Sequence, residues 1–218
     1  MTEHPIIFSA PMVRALREGR KTQTRRTRAL DKINKAPDGW YLANDAPCPD
    51  GRWIFGIYGE QPGYEFVRCP YGVAGDRLYS RETWAAFDCT AISDRDTNFI
   101  YYRADDTRKF ETDGPWKPSI HMPRWASRDT LEITSVRPER LQAITEEDAI
   151  AEGALFRDFG KKCGWTLEPD NLERGSDFCL SSAYWAFANL WNKLNGPGSW
   201  AKNPWVWRVE YRRLEVSE

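Results

Sequence analysis

The chain has 218 residues, 41% of them apolar and 14% aromatic, with 31 basic and 32 acidic side chains for a net charge of −1. That is enough apolar surface for one large domain with a real core, and too many aromatics for a disordered chain. No global charge excess points to nucleic acid, and no apolar run approaches the ~18–20 residues of a membrane span.

The 11 tryptophans and 14 prolines favour strands, turns and fitted loops over a helical bundle. The start of the chain lacks a charged region followed by an apolar core and a small-residue cleavage site, so no signal peptide is expected. Five cysteines without dense spacing fit reduced thiols in a cytoplasm.

In chain order, Ile6 to Phe8 reads as a short buried strand. "SAPMVRALREG" reads as a helix, with Ser9 as cap, Pro11 in the first turn and Gly19 at the stop. "GRKTQTRR", residues 19 to 26, leaves that helix. Between Arg14 and Arg28 seven basic residues meet only one acid, Glu18. Such a run is either an anion footprint or a solvated face. Residues 30 to 66 are rich in Gly, Pro, Asp and Asn around short aromatic pieces, which predicts an insertion of loops and a hairpin. "GDRLYSRETW" (Gly75 to Trp84) is a turn entering a strand, and Thr130 to Val136 is another strand.

"ITEEDAIAEG" predicts a short helix capped by Thr145, with Asp148 at the reciprocal position and Gly153 at the end. Residues 155 to 179 read as a second insertion. "SSAYWAFANLWNKLNGPG" is a helix with Ala183, Phe187, Leu190, Trp191 and Leu194 on one face. In "PWVWRVEYRR" Trp205, Trp207, Val209 and Tyr211 alternate with Arg208, Glu210 and Arg212, which predicts a half-buried strand. Strands scattered among few helices argue for an α+β class.

Several chemistries are disfavoured. Cys48 and Cys69 each precede a Pro-containing turn but form no C-x-x-C pair, and His4 and His121 stand alone, so no metal is expected. Phosphate-loop, dinucleotide and G-x-S-x-G signatures are absent, so no cofactor is expected. "PSIHMPRWASR" places Arg124, Trp125 and Arg128 in a fitted loop. They either contact a base or phosphate, or are a packed Trp with arginines lying over apolar surface. In "GRKTQTRR" a threonine hydroxyl becomes a nucleophile only when a base takes its proton. Lys21 could be that base if burial and nearby arginines favoured its neutral form. On these grounds alone, either Thr22 or Thr24 could attack.

"SAPMVRALREGRKTQTRR", "CPYGVAGDRLYSRETW", "PSIHMPRW" and "NPWVWRVEYRR" together resemble the ASCH-domain family, especially its longer members from bacteriophages and prophages. The resemblance implies a single domain over 1–218, a PUA-like mixed β-barrel with flanking helices, interrupted at 30–66 and 155–179. One branch of that family removes the acyl group from N4-acetylcytidine and carries G-R-K-T-x-T-x-R. The match here is Gly19, Arg20, Lys21, Thr22, Thr24 and Arg26, with Arg25 where that branch has an apolar residue. Carried over, Lys21 is the base, Thr24 the nucleophile and Glu152 the catalytic carboxylate. Candidate substrate-binding residues are Arg20, Thr22, Arg25, Arg26, Glu82, Arg124 and Trp125. The implied partner is a modified nucleoside, or a modified base in nucleic acid, and no membrane. The family also contains proposed RNA binders and nucleases, so a binding module or an RNA-cleaving enzyme is the alternative. Nothing in the sequence fixes an oligomeric state.

Overall fold

Five strands form the central sheet of the computed structural model, which describes residues 1–59, 63–86, 100–105, 115–158, 163–168 and 180–214. They are β1 (Glu3–Ile7), β2 (Gln23–Arg26), β6 (Arg77–Arg81), β9 (Thr130–Arg140) and β12 (Trp205–Leu214). Their order is β1-β6-β9-β12-β2, with β1 parallel to β6 and every other pair antiparallel. The expected α+β class holds. Among the described residues the expected barrel does not close through its backbone, because β1 and β2 remain as edges. A side chain joins those edges instead: Arg26 Nη2 donates to the Ile7 carbonyl at 2.9 Å.

Helix α1 (Ala10–Arg17) links the two edge strands. Ser9 occupies its N-cap without a side-chain bond, Pro11 lies in the first turn, and Gly19 turns out of the helix at φ +76°. Val13, Ala15 and Leu16 are buried, and Val13 and Leu16 join Ile6, Phe8, Leu78, Leu131, Ile133, Trp207, Val209 and Tyr211 in the main core. The segment 30–66 contributes a three-stranded sheet, β3 (Trp40–Leu42), β4 (Arg52–Ile57) and β5 (Tyr64–Arg68). Its Trp53 and Phe55 enter the same core, and the Phe55 ring meets Trp205 edge-on at 5.1 Å. Strands β7 (Trp84–Ala86) and β8 (Ile100–Tyr102) make a small antiparallel sheet beside the loop of Met122 and Ala126.

Beyond the other face of the sheet lie α2 (Glu146–Ala151) and α3 (Ala183–Asn195), with a second core that includes Leu141, Phe187, Leu190, Trp191 and Val206. The Thr145–Asp148 capping box is present as predicted. Glu146 adds a tie the sequence did not suggest: its carboxylate accepts from the Ala183 and Tyr184 backbone N–H groups at 2.6 and 2.9 Å, capping α3. Of the second predicted insertion, β10 (Leu155–Asp158) and β11 (Cys163–Thr166) form an antiparallel pair, and 169–179 lies outside the described residues.

Three expectations need correction. Leu194 is 58% exposed although it shares the face of Phe187, Leu190 and Trp191, because it stands at the end of α3, beyond the last residue that helix gives to the second core. The closing strand is covered on both faces, since Val206 packs under α3 while Trp205, Trp207, Val209 and Tyr211 fill the main core. The strand predicted to end at Val136 continues to Arg140. Pro138 is tolerated there because β6 pairs only with Thr130, Leu131 and Glu132, so beyond Glu132 that side of β9 has no strand partner among the described residues.

Candidate active site

The residues of "GRKTQTRR" are placed by two helix ends meeting on one sheet edge. After Gly19 the chain folds back under α1, where the Arg20 and Lys21 amides donate to the Ala15 carbonyl. It then runs beside the end of α2, where Lys21 and Glu152 form a β-bridge and the Thr22 amide donates to the Ala151 carbonyl at 2.9 Å. Gly153 permits this approach. It sits at φ +104°, and a Cβ there would lie 3.0 Å from Ala15 Cβ and 3.4 Å from Lys21 Cβ.

Lys21 is 1% exposed and all three of its N–H donors are used. They go to Glu152 Oε2 at 2.8 Å, and to the Glu152 and Gln23 carbonyls, each at 2.9 Å. Burial pushes the amine's pKa below the ordinary lysine value. Glu152 opposes that push, while Arg26 and Arg25 add to it. The Gln23 carbonyl is bonded directly to the Thr24 nitrogen, so the amine sits one peptide unit from Thr24. Thr24 itself is 0% exposed, and its Oγ1 has no hydrogen-bond partner among the described residues. A buried hydroxyl with unused hydrogen-bonding capacity calls for an explanation, and a reactive role is one. On the same carbonyl sits the Tyr211 hydroxyl at 3.3 Å, its pKa held far above the usual tyrosine range by burial and by Glu152.

Arg25 is also buried. Its guanidinium contacts Glu139 (Nε, 2.8 Å), Asp148 (Nη2, 2.8 Å) and Glu152 (Nη1, 3.3 Å). Burial works against its charge, but Glu152, Glu139 and Asp148 outweigh it and raise the pKa. The network continues through Gln23, whose amide Nε2 donates to Asp148 Oδ1 and whose Oε1 accepts from Arg208 Nε at 2.9 Å. Burial would raise Asp148, yet the Gln23 bond, Arg25 and Arg208 bring its pKa below the ordinary range. No sequence motif marks Gln23, Glu139, Arg208 or Tyr211 as part of this network, and Asp148 stands out in the sequence only as a cap.

Of the remaining candidates, Arg20 donates to the Gly153 carbonyl at 2.8 Å and pairs with Glu18, while Thr22 is exposed. Arg26 lies over the Phe8 ring at 5.8 Å, and Lys21 lies over the same ring at 5.7 Å. Glu82, Arg124 and Trp125 belong to a different neighbourhood. Glu82 is buried against Arg128 at 2.9 Å, and Arg128 also holds Asp105 and covers the Tyr102 ring at 3.8 Å. Arg124 pairs with Glu3 through two contacts of 2.7 Å, and Trp125 meets Trp84 edge-on. The second of the two readings of that loop, a packed Trp with arginines over apolar surface, describes this arrangement.

Among the described residues no group of three His, Cys, Asp or Glu side chains is placed to hold a metal ion, and no helix is long and apolar enough to cross a membrane. Burial raises the Cys69 thiol to a pKa of about 12. No protein-family model matches the chain, and comparison with curated proteins and with solved structures finds no match either.

Proposed function

We propose that the protein is an amidohydrolase acting on an N4-acylated cytosine nucleoside or a related modified base, with Thr24 as nucleophile and Lys21 as base. The observation that carries this reading is the fully buried Thr24 hydroxyl, unpartnered among the described residues, on the residue after the Gln23 carbonyl that holds the buried Lys21 amine, whose pKa burial lowers. The likeness of "GRKTQTRR" to the deacylase motif supports it. So does the meeting of Lys21 and Glu152, which the motif expects and which lie far apart in sequence. The central sheet is, on this reading, a PUA-like barrel whose seam Arg26 ties.

In the reaction, Thr24 Oγ1 bonds to the acyl carbon as its proton passes to Lys21. The tetrahedral intermediate then breaks its C–N bond, and the departing amine takes a proton relayed through the Lys21–Glu152 pair. Water hydrolyses the threonyl ester and restores the hydroxyl. Arg26, beside Phe8, is the proposed donor to the developing oxyanion. Lys21, Thr24, Arg25 and Glu152 are each at most 3% exposed, so the reading requires an opening motion to admit substrate.

The binding-module alternative relies on the basic run as a phosphate groove. Much of that run is engaged internally: Arg17 with Asp129, Arg20 with Glu18, Arg25 with three carboxylates, Arg26 with the Ile7 carbonyl. This favours the hydrolase. The test is incubation with a panel of N4-acylcytidines, a single-stranded RNA and a modified duplex, each read for product and for binding. Cytidine released from the acyl nucleosides supports the proposal. Tight RNA binding without acyl hydrolysis contradicts it.

A further inference from the structure

Arg25 is a costly residue to place in a strand interior, because a buried guanidinium loses its hydration. Three carboxylates answer that charge: Glu139 of β9, Asp148 of α2 and Glu152 at the α2 exit. The α3 ring of Phe187 lies 6.0 Å from its Cζ. The Glu152 carboxylate is thereby divided, with Oε1 toward Arg25 at 3.3 Å and Oε2 toward Lys21 at 2.8 Å.

Building on the hydrolase reading above, we infer that Arg25 is a positioning residue acting through Glu152. It fixes the carboxylate with one oxygen turned to the Lys21 amine, and it limits how firmly that carboxylate holds the amine's proton. Only one of the two cations sharing Glu152 can respond. A guanidinium does not release its proton in a protein, whereas a buried amine does. Lys21 is faced by Glu152 from the end of α2, by Arg25 and Arg26 from β2, by the Phe8 ring, and by the Gln23 carbonyl that Tyr211 of β12 also contacts. Removing Arg25 deletes a repelling charge and leaves all of Glu152 to Lys21. Both changes strengthen the protonated amine. Hydrolysis needs the neutral amine, so the acid limb of the pH–rate profile must move to higher pH.

The test compares wild type with Arg25→Lys, Arg25→Met, and Arg25→Met combined with Glu139→Gln. The combined variant also neutralises Glu139, which would otherwise lose Arg25 and keep only Arg137 and Arg208, and this guards against simple misfolding. Two quantities are read: kcat/KM against pH on N4-acetylcytidine, and the titration of the Lys21 amine by 15N NMR in the folded, substrate-free protein. In both Met-containing variants the acid limb and the Lys21 titration are expected to rise by about one pH unit or more. Arg25→Lys, which keeps a charge, is expected to return both toward wild type. An arginine that only supports the fold would lower the melting temperature and leave limb and titration unmoved, and that result overturns the inference. The NMR readout needs no turnover. If no acylcytidine is hydrolysed but the Lys21 titration still shifts, the hydrolase reading fails and the positioning role stands. If hydrolysis occurs and neither quantity shifts, the positioning role fails alone.

Discussion

Lys21 and Glu152, 131 residues apart in sequence, are held together twice: Nζ reaches the Glu152 carboxylate at 2.8 Å and the Glu152 carbonyl at 2.9 Å. The β-bridge between the same two residues adds a main-chain tie. Their side chains are therefore oriented by backbone pairing as well as by charge.

The Thr24 hydroxyl gives the sharpest separation of stability from activity. A buried hydroxyl without a partner is destabilising by about 1–3 kcal/mol. Thr24→Val, nearly the same in volume, is expected to raise unfolding free energy by about 1 kcal/mol in urea denaturation while removing nearly all hydrolysis. A variant that is less stable than wild type would show that the hydroxyl makes a bond after all.

Lys21 predicts a pH dependence with a definite sign. Its pKa in the folded protein is lowered by burial from the ordinary 10.5. Between the lowered value and 10.5 the unfolded chain binds more protons than the folded one, so stability rises with pH across that window and is lost as pH falls through it. Lys21→Met lacks this contribution. The stability difference between wild type and Lys21→Met should change in favour of wild type as pH rises through the alkaline range. Parallel curves would contradict the assignment.

Gly153→Ala tests the close approach. The added methyl meets Ala15 Cβ at 3.0 Å in a left-handed backbone conformation, so a loss of about 1–3 kcal/mol is expected. Because Glu152 is adjacent, kcat should fall as well. A neutral substitution in thermal melts and in turnover would refute this.

Glu146→Ala tests how α2 is anchored. It removes both carboxylate contacts to the start of α3, an effect of about 1–2 kcal/mol by analogy with helix caps. Hydrogen exchange at Ala183 and Tyr184 should accelerate more than at β12. Uniform protection would mean the cap is unimportant.

What the sequence disclosed follows from the range of the signal. The capping box at Thr145, the glycine stop after α1 and the alternation of Trp205, Trp207 and Val209 are local patterns, and each appears in the structure. The resemblance of "GRKTQTRR" to the deacylase motif implies Lys21 and Glu152 as a pair, and the two meet in the structure. The partners of Arg25 were not legible, because Glu139, Asp148 and Glu152 reach it from 114, 123 and 127 residues away. Arg208 looked solvent-facing by alternation. In fact α2 and α3 cover that side of β12, so Arg208 is drawn onto Gln23 and Asp148. The loop with Trp125 has two possible readings because a tryptophan flanked by arginines looks the same in sequence whether it stacks on a base or packs edge-on against Trp84.

The central claim is that Thr24 is the attacking group, and the most direct measurement is the rate of cytidine release from N4-acetylcytidine by wild type and by Thr24→Val under the same conditions. The account predicts turnover by wild type and a loss of at least about 10²-fold in the variant, in line with removing a nucleophile that general-base help assists by roughly 10²–10⁴-fold. Equal rates in the two proteins, or no release by wild type, would contradict it.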